Sequence, residues 1–185
     1  PGGTLIMTGA NSAVGLRSMP VRYLFLDELD GYPPDADGEG DPVNLAIKRT
    51  QTFARRKILM VSTPSVEGAS RIADAFAESD QRYFELPCLH CGTYQVVTWD
   101  RIRWTDLNRP PERAAFVCHA CGGVHENADK AKMLPRGQWR ATADGDGKTA
   151  GFHLSALYAP PGWDSWGDLA REFESARGTP ERLKT

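Results

Sequence analysis

Two adjacent carboxylates, Asp27 and Glu28, close an apolar run that begins at Val21 (Val21-Arg22-Tyr23-Leu24-Phe25-Leu26). A parallel strand buried on both faces reads as a continuous apolar run, and open α/β sheets bind ligands at the carboxyl ends of their strands. An Asp-Glu pair at such a mouth suits nucleotide hydrolysis. The Asp holds Mg²⁺, directly or through water, and the Glu orients and deprotonates the attacking water. A strand that merely runs into an acidic loop would read the same way. A second apolar run, Lys57 to Ser62, ends in Ser62-Thr63-Pro64-Ser65. Small hydroxyl residues at the tip of a neighbouring strand can sense a phosphate or the attacking water; the bland alternative is an ordinary strand-to-loop turn.

The cysteines suggest a different chemistry. Cys88-Leu89-His90-Cys91-Gly92 and Cys118-His119-Ala120-Cys121-Gly122 are two Cys-x-x-Cys-Gly knuckles separated by 26 residues. A tight turn lets both thiolates of one knuckle point at one ion, and two knuckles make a closed tetrahedral Cys₄ shell, the preference of structural Zn²⁺. Two disulfides, a redox Cys-x-x-Cys pair and an iron–sulfur cluster are the alternatives. No signal peptide precedes the cysteines, which argues against disulfides. His90 and His119 could replace a cysteine, but four thiolates already complete the shell.

These residues need elements to hold them. Thr4–Thr8 (TLIMT) reads as a short strand, Gly9 to Ser12 as a turn, and 13–19 as a short helix or loop carrying Arg17. Residues 21–27 and 57–62 read as buried strands. Between them, Pro42 opens a helix whose apolar residues recur at helical spacing to Ala54, and residues 70–79 read as a second helix. Strand, helix, strand, helix implies a parallel sheet with crossover helices. From Tyr83 to 125 the pattern is short strands and turns. Residues 126–134 read as a short helix, 137–158 as a hairpin, and 165–177 as a capped amphipathic helix. The expectation is an α/β domain plus a small β-rich, zinc-ribbon-like subdomain, divided as 1–82, 83–135 and 136–185.

Two stretches mimic ligand loops. Gly145-Asp146-Gly147-Lys148-Thr149 carries the tail of a phosphate-binding loop, but the first glycine of that pattern would fall on Thr142. Asp35 to Asp41 resembles the start of a calcium loop, whose twelfth position would be Ala46 rather than Glu. Both read as loops. The 185 residues carry a net charge of −2, with 25% charged and 41% hydrophobic residues, so the chain as a whole is not an electrostatic nucleic-acid binder. Residues 101–140 hold eight Lys/Arg against four Asp/Glu, either a phosphate-facing surface or a solvated face. No apolar run approaches the ~20 residues needed to span a membrane. The chain begins Pro1-Gly2-Gly3 and stops at Leu183-Lys184-Thr185, and reads as a fragment of a longer protein.

The combination resembles a known family. Leu16-Arg17-Ser18, the run Tyr23 to Pro33, Glu39-Gly40-Asp41-Pro42, Arg49-Thr50, Ser62-Thr63-Pro64-Ser65 and Ser79-Asp80-Gln81-Arg82 occur in an order similar to the large terminase subunit of tailed bacteriophages, of the lambda gpA type. The cysteine knuckles and Phe152 to Tyr158 follow where that family has them. The resemblance implies a partial P-loop NTPase fold and an ATPase that drives double-stranded DNA into a procapsid. On it, Asp27 is the Walker B Mg²⁺ ligand, Glu28 the catalytic carboxylate and Ser62-Thr63-Pro64 the motif coupling hydrolysis to DNA movement. Arg17 lies where such motors can carry an arginine finger; a surface salt bridge is the alternative. The implied cofactors are ATP, Mg²⁺ and structural Zn²⁺. The implied partners are DNA, the terminase small subunit, the portal or procapsid and further copies of the subunit, in the host bacterial cytoplasm. The resemblance expects the Walker A loop upstream of Pro1 and the nuclease carboxylates downstream of Thr185, so the fragment alone is expected to be inactive. A helicase-like ATPase and a non-enzymatic zinc-ribbon binding module are the competing readings.

Overall fold

The computed structural model describes residues 2–17, 19–66 and 68–177. The chain divides into two compact units, Pro1–Asp74 and Ala75–Thr185.

The first unit contains α1 (Ala13–Arg17), β1 (Tyr23–Asp27), α2 (Pro42–Lys48), β2 (Lys57–Val61) and the start of α3 (Arg71–Ala77). β1 and β2 pair in parallel, Tyr23 opposite Lys57 and Asp27 opposite Val61. The expected parallel pair with an intervening helix is therefore present. α2 starts where Asp41 accepts a hydrogen bond from Asn44 N and Pro42 fills the first turn, the combination that satisfies an orphan donor and pre-sets φ. It stops at Lys48 rather than running on to Ala54. The Thr50 hydroxyl takes the Ile47 carbonyl at 2.8 Å, a local bond that competes with helix continuation.

The strands differ from expectation in one respect. Leu24, Leu26 and Met60 pack into a core with Ala13, Leu16, Leu29, Ala36 and Ala46. Their neighbours Tyr23, Phe25, Leu59 and Val61 are 55%, 66%, 52% and 49% exposed. The sheet is thus covered on one face only, because the described core of this unit packs on one side of two strands. Thr4–Thr8 is irregular rather than a strand. A strand needs a partner for its backbone donors and acceptors, and among the described residues β1 pairs only with β2.

The second unit holds β3 (Arg82–Pro87), β4 (Tyr94–Val96), β5 (Ile102–Arg103), β6 (Ala115–Val117), β7 (Val124–His125), α4 (Lys130–Met133), β8 (Gln138–Ala141), β9 (Phe152–His153) and α5 (Trp166–Ala176). β5, β6 and β7 form an antiparallel sheet. β3 is the spine of another: it pairs antiparallel with β4 and β8, and parallel with β9. The 137–158 stretch is therefore not the expected hairpin. β8 and β9 join β3 on opposite edges, since Arg82 faces both Ala141 and Phe152, and the stretches on either side of residue 136 share one sheet.

Phe116, Met133 and Trp166 are fully buried at the centre of the second core, with Leu86, Val97, Ile102 and Ala170. The polar atoms of Tyr158, Trp166 and Lys130 are tied. The Tyr158 hydroxyl donates to Phe84 O at 2.6 Å and accepts from Val97 N at 2.8 Å. Trp166 Nε1 donates to Leu157 O at 2.9 Å. The Lys130 amine lies 4.7 Å over the Trp166 ring and donates to Ala159 O at 3.2 Å, and burial brings it down to about 8. α5 begins with a reciprocal cap between Ser165 and Asp168, which satisfies two terminal N–H groups.

Gly167 lies in the first turn of α5 against the Pro111–Arg113 turn. In an ordinary helix Gly→Ala gains about 1 kcal/mol. Here a Cβ would lie 2.3 Å from the Glu112 carbonyl oxygen and 2.7 Å from its carbon. Gly167→Ala is therefore expected to destabilise by about 1–3 kcal/mol, read as a lower Tm; an unchanged or raised Tm would contradict it.

Candidate functional site

The parallel register puts the end of β1 beside the end of β2. Asp27 is the last residue of β1, exposed, and opposite Val61. Glu28 follows in the left-handed region, φ 54° and ψ 47°, and is also exposed. A non-glycine residue there costs about 1–2 kcal/mol, and such outliers cluster at functional sites. The Tyr32 phenol sits beside Asp27. Burial pushes it up, a backbone hydrogen bond at Asp27 opposes the shift, and the Asp27 charge reinforces it.

Asp30 joins this turn to the segment after β2. Its backbone N–H donates to Ser62 Oγ at 3.1 Å. Its carboxylate accepts from Ser65 N at 2.9 Å, Ser65 Oγ at 3.0 Å and Ile72 N at 2.9 Å. Burial opposes the charge, but these donors and Ser70 outweigh it and hold the acid at about 2. Asp30 thus ties the Asp27-Glu28 turn to Ser62 through its backbone N–H, and to Ser65 and the first turn of α3 through its carboxylate. The sequence shows Asp30 only as one more acid in a loop; its spacing of three from Asp27 carries no signal for this role.

The fold favours the ionised form of Asp30, so its contribution is complete above the unfolded value of 3.8 and is lost as pH falls through about 2. Asp30→Asn is expected to cost about 1–3 kcal/mol at neutral pH. Melting curves of the two proteins should converge between pH 4 and 2; curves that stay parallel would contradict this.

Arg17 ends α1 and is ion-paired with Glu39, with the two side chains 42% and 38% exposed. The guanidinium is thus engaged within its own chain, the salt-bridge arrangement. Thr63 and Pro64 are exposed and Ser62 is half-buried.

The two mimics are turns. Asp146 accepts Lys148 N at 2.8 Å and Thr149 N at 2.6 Å, so a side chain occupies the donors a phosphate would need. Asp35 likewise accepts Gly38 N and Gly40 N.

The four cysteines converge. Cys88–Cys91 turns the β3–β4 hairpin and Cys118–Cys121 the β6–β7 hairpin. Both knuckles close identically: Cys88 N bonds Thr93 O and Gly92 N bonds Cys88 O, as Cys118 N bonds Gly123 O and Gly122 N bonds Cys118 O. Gly92 and Gly122 sit at φ 78° and 70°, the conformation glycine adopts at no steric cost. The four sulfurs lie within 4.8 Å of one another, with Cys88–Cys121 at 3.7 Å and Cys91–Cys118 at 3.9 Å. Tetrahedral Zn–S bonds of about 2.3 Å put sulfurs about 3.8 Å apart, so the donor set fits Zn²⁺. Disulfides would need S–S bonds near 2.05 Å, and all four cysteines are free.

The thiols are also coupled electrostatically. Burial opposes the Cys118 thiolate, yet donors from Cys121, Gln95 and Ala120 bring it to about 6. Gly123 N–H favours the Cys121 thiolate, but the neighbouring sulfurs and burial push that thiol up to about 12. Four thiolates in this space would repel one another, and a bound cation would relieve that repulsion.

Two buried neighbours were not legible. Gln95 donates to Cys118 Sγ at 3.1 Å and accepts His119 N at 3.0 Å. His125 is fully buried, stacked on Phe116, with Nε2 3.3 Å from Cys88 Sγ. Neither lies inside a knuckle. His90, which does, bonds Val124 O through its ring at 3.3 Å.

Fold and site together define an α/β protein with mixed sheets and a four-thiol cluster able to hold a metal ion. The family described as "Phage terminase large subunit gpA, ATPase domain" matches residues 1–139, and the chain belongs to that family. A curated relative, the terminase large subunit of Enterobacteria phage P21, is 27% identical over 200 residues. That match covers 96% of this chain and 30% of the relative, so the chain spans less than a third of its length. No solved structure matches significantly.

Proposed function

We propose that this chain supplies half of the hydrolytic site of a DNA-packaging ATPase. Asp27 would hold Mg²⁺ and Glu28 would orient and deprotonate the attacking water. The bound Mg²⁺ supplies charge neutralisation on the phosphates. Ser62-Thr63-Pro64 would couple hydrolysis to movement of double-stranded DNA, with Asp30 tying that segment to the Asp27-Glu28 turn. The observation that carries the reading is Glu28, held in the left-handed region directly after Asp27 at the tip of a parallel strand.

Arg17 would serve as a finger toward a neighbouring subunit only after releasing Glu39. The four cysteines would hold one structural Zn²⁺ within a zinc-ribbon-like pair of hairpins, inserted in a P-loop NTPase domain. Since no G-x-x-x-x-G-K-[ST] pattern occurs in its sequence, the chain alone would not hydrolyse ATP. Small subunit, portal, further copies of the subunit and a separate nuclease domain belong to the same reading, as does the host cytoplasm. Among the described residues no helix is long and apolar enough to cross a membrane.

The test is Glu28→Gln in a terminase large subunit carrying this domain, assayed for ATP turnover and DNA packaging. Normal turnover and packaging would remove the reading.

A further inference from the structure

The stretch 101–140 has an excess of cations, but most of them are occupied. Arg101, Arg103, Arg109 and Arg140 pair with Asp100, Asp106, Glu126 and Glu85, and Lys130 is buried. A different surface is unneutralised. Between Pro42 and Val66 there is no Asp or Glu, while Lys48, Arg49, Arg55, Arg56 and Lys57 fall within ten residues.

The fold adds Arg22 to this cluster. Lys57 N donates to Arg22 O at 3.0 Å and Val21 N to Arg49 O at 3.1 Å. Arg22 Nε donates to Arg55 O at 3.2 Å. The cations therefore gather where β1 and β2 begin, opposite the ends that carry Asp27 and Glu28. Arg22, Lys48, Arg55, Arg56 and Lys57 are exposed, and among the described residues none of them is in an ion pair. Arg49 is half-buried and donates to Arg17 O at 3.2 Å. Gln51 and Thr52, also exposed, add neutral donors.

We propose that this end of the first unit is a binding surface for the phosphate backbone of duplex DNA. Five exposed cations without local acids, in a chain whose net charge is −2, concentrate positive potential on one face, and such a face attracts a polyanion through counterion release. Exposed cations of this kind position a protein on phosphates rather than reading base edges. The choice of duplex DNA over another polyanion rests on the packaging reading above.

The test titrates the 185-residue chain onto a fluorescein-labelled duplex of about three helical turns, followed by anisotropy across a range of NaCl concentrations. Each phosphate contact contributes about 0.9 to the slope of log K against log salt. Lys48→Gln/Arg55→Gln/Arg56→Gln should lower that slope by about 2–3 and weaken low-salt binding roughly tenfold or more. Arg55→Lys/Arg56→Lys should retain both, and circular dichroism should show all variants folded. Arg113→Gln/Lys132→Gln/Arg136→Gln, which removes unpaired cations of the 101–140 stretch, should leave binding unchanged.

No binding by the wild-type chain, or an unchanged slope in the triple variant, overturns the proposal. So does loss of binding only in the 101–140 variant. Binding to polyglutamate but not to duplex would assign the face to an acidic protein and overturn it as well. The assay requires no ATP hydrolysis. Normal turnover by Glu28→Gln would sink the motor reading and leave this measurement standing.

Discussion

Removing metal with a strong chelator is expected to unfold the unit that carries the four cysteines, with loss of its near-ultraviolet circular dichroism. Cys88→Ser and Cys118→Ser should do the same without chelator. Apparent binding free energies of structural zinc sites run to about 10–16 kcal/mol, while whole domains are stable by about 5–15 kcal/mol. A bound Zn²⁺ would therefore contribute on the scale of a whole domain's net stability. The geometry makes the dependence specific. The two knuckles close separate hairpins, and the hairpin ends meet through their sulfurs, through Gln95 bridging Cys118 and His119, and through His125 on Cys88 and His90 on Val124 O. Gly123 N–H favours the Cys121 thiolate, but the neighbouring sulfurs and burial push that thiol up to about 12, a repulsion that a bound cation would relieve. Elemental analysis should find one zinc per chain. A metal-free preparation with its near-ultraviolet signal intact would refute the assignment.

The second large effect has two signs. Glu28→Gln in a terminase large subunit is expected to lower ATP turnover about 10²–10⁴-fold, the range for loss of a positioned general base. Glu28→Gly should lose activity equally, yet leave the 185-residue chain as stable or more stable by up to about 1 kcal/mol, because glycine relieves the left-handed backbone. Urea melts of the isolated chain and turnover of the full-length variants check the two halves. A glycine variant that is clearly less stable would show that Glu28 is held for packing rather than chemistry.

The local features of this protein were readable and the long-range ones were not. Asp27-Glu28 at a strand end, the parallel pairing of 23–27 with 57–61, and both knuckles follow from short patterns. The coverage of that sheet does not: an apolar run says that a strand can be buried on both faces, but Phe25 and Leu59 are exposed. In sequence β9 reads as half of a hairpin because a polar turn between two strand-like runs signals one, while its parallel pairing with β3 is decided by contacts some 70 residues apart in sequence. Asp30, Gln95 and His125 carry no sequence signal for the same reason. Each acts through partners from another element, and nothing in its own neighbourhood marks it. A charge count over 101–140 likewise carries no record of which of its cations are paired with acids.

The near-neutral total also conceals how charge is laid out along β1 and β2. Cations gather at the start of the strands, and Asp27, Glu28 and Asp30 stand at their ends, separated by about 13 Å at the usual rise of a strand. Such a layout gives this unit a dipole moment along the sheet. Near a long negatively charged rod it would experience a torque before contact, turning its cationic end inward. The carboxylates would then face away from the rod, where they do not repel it and remain open to a nucleotide.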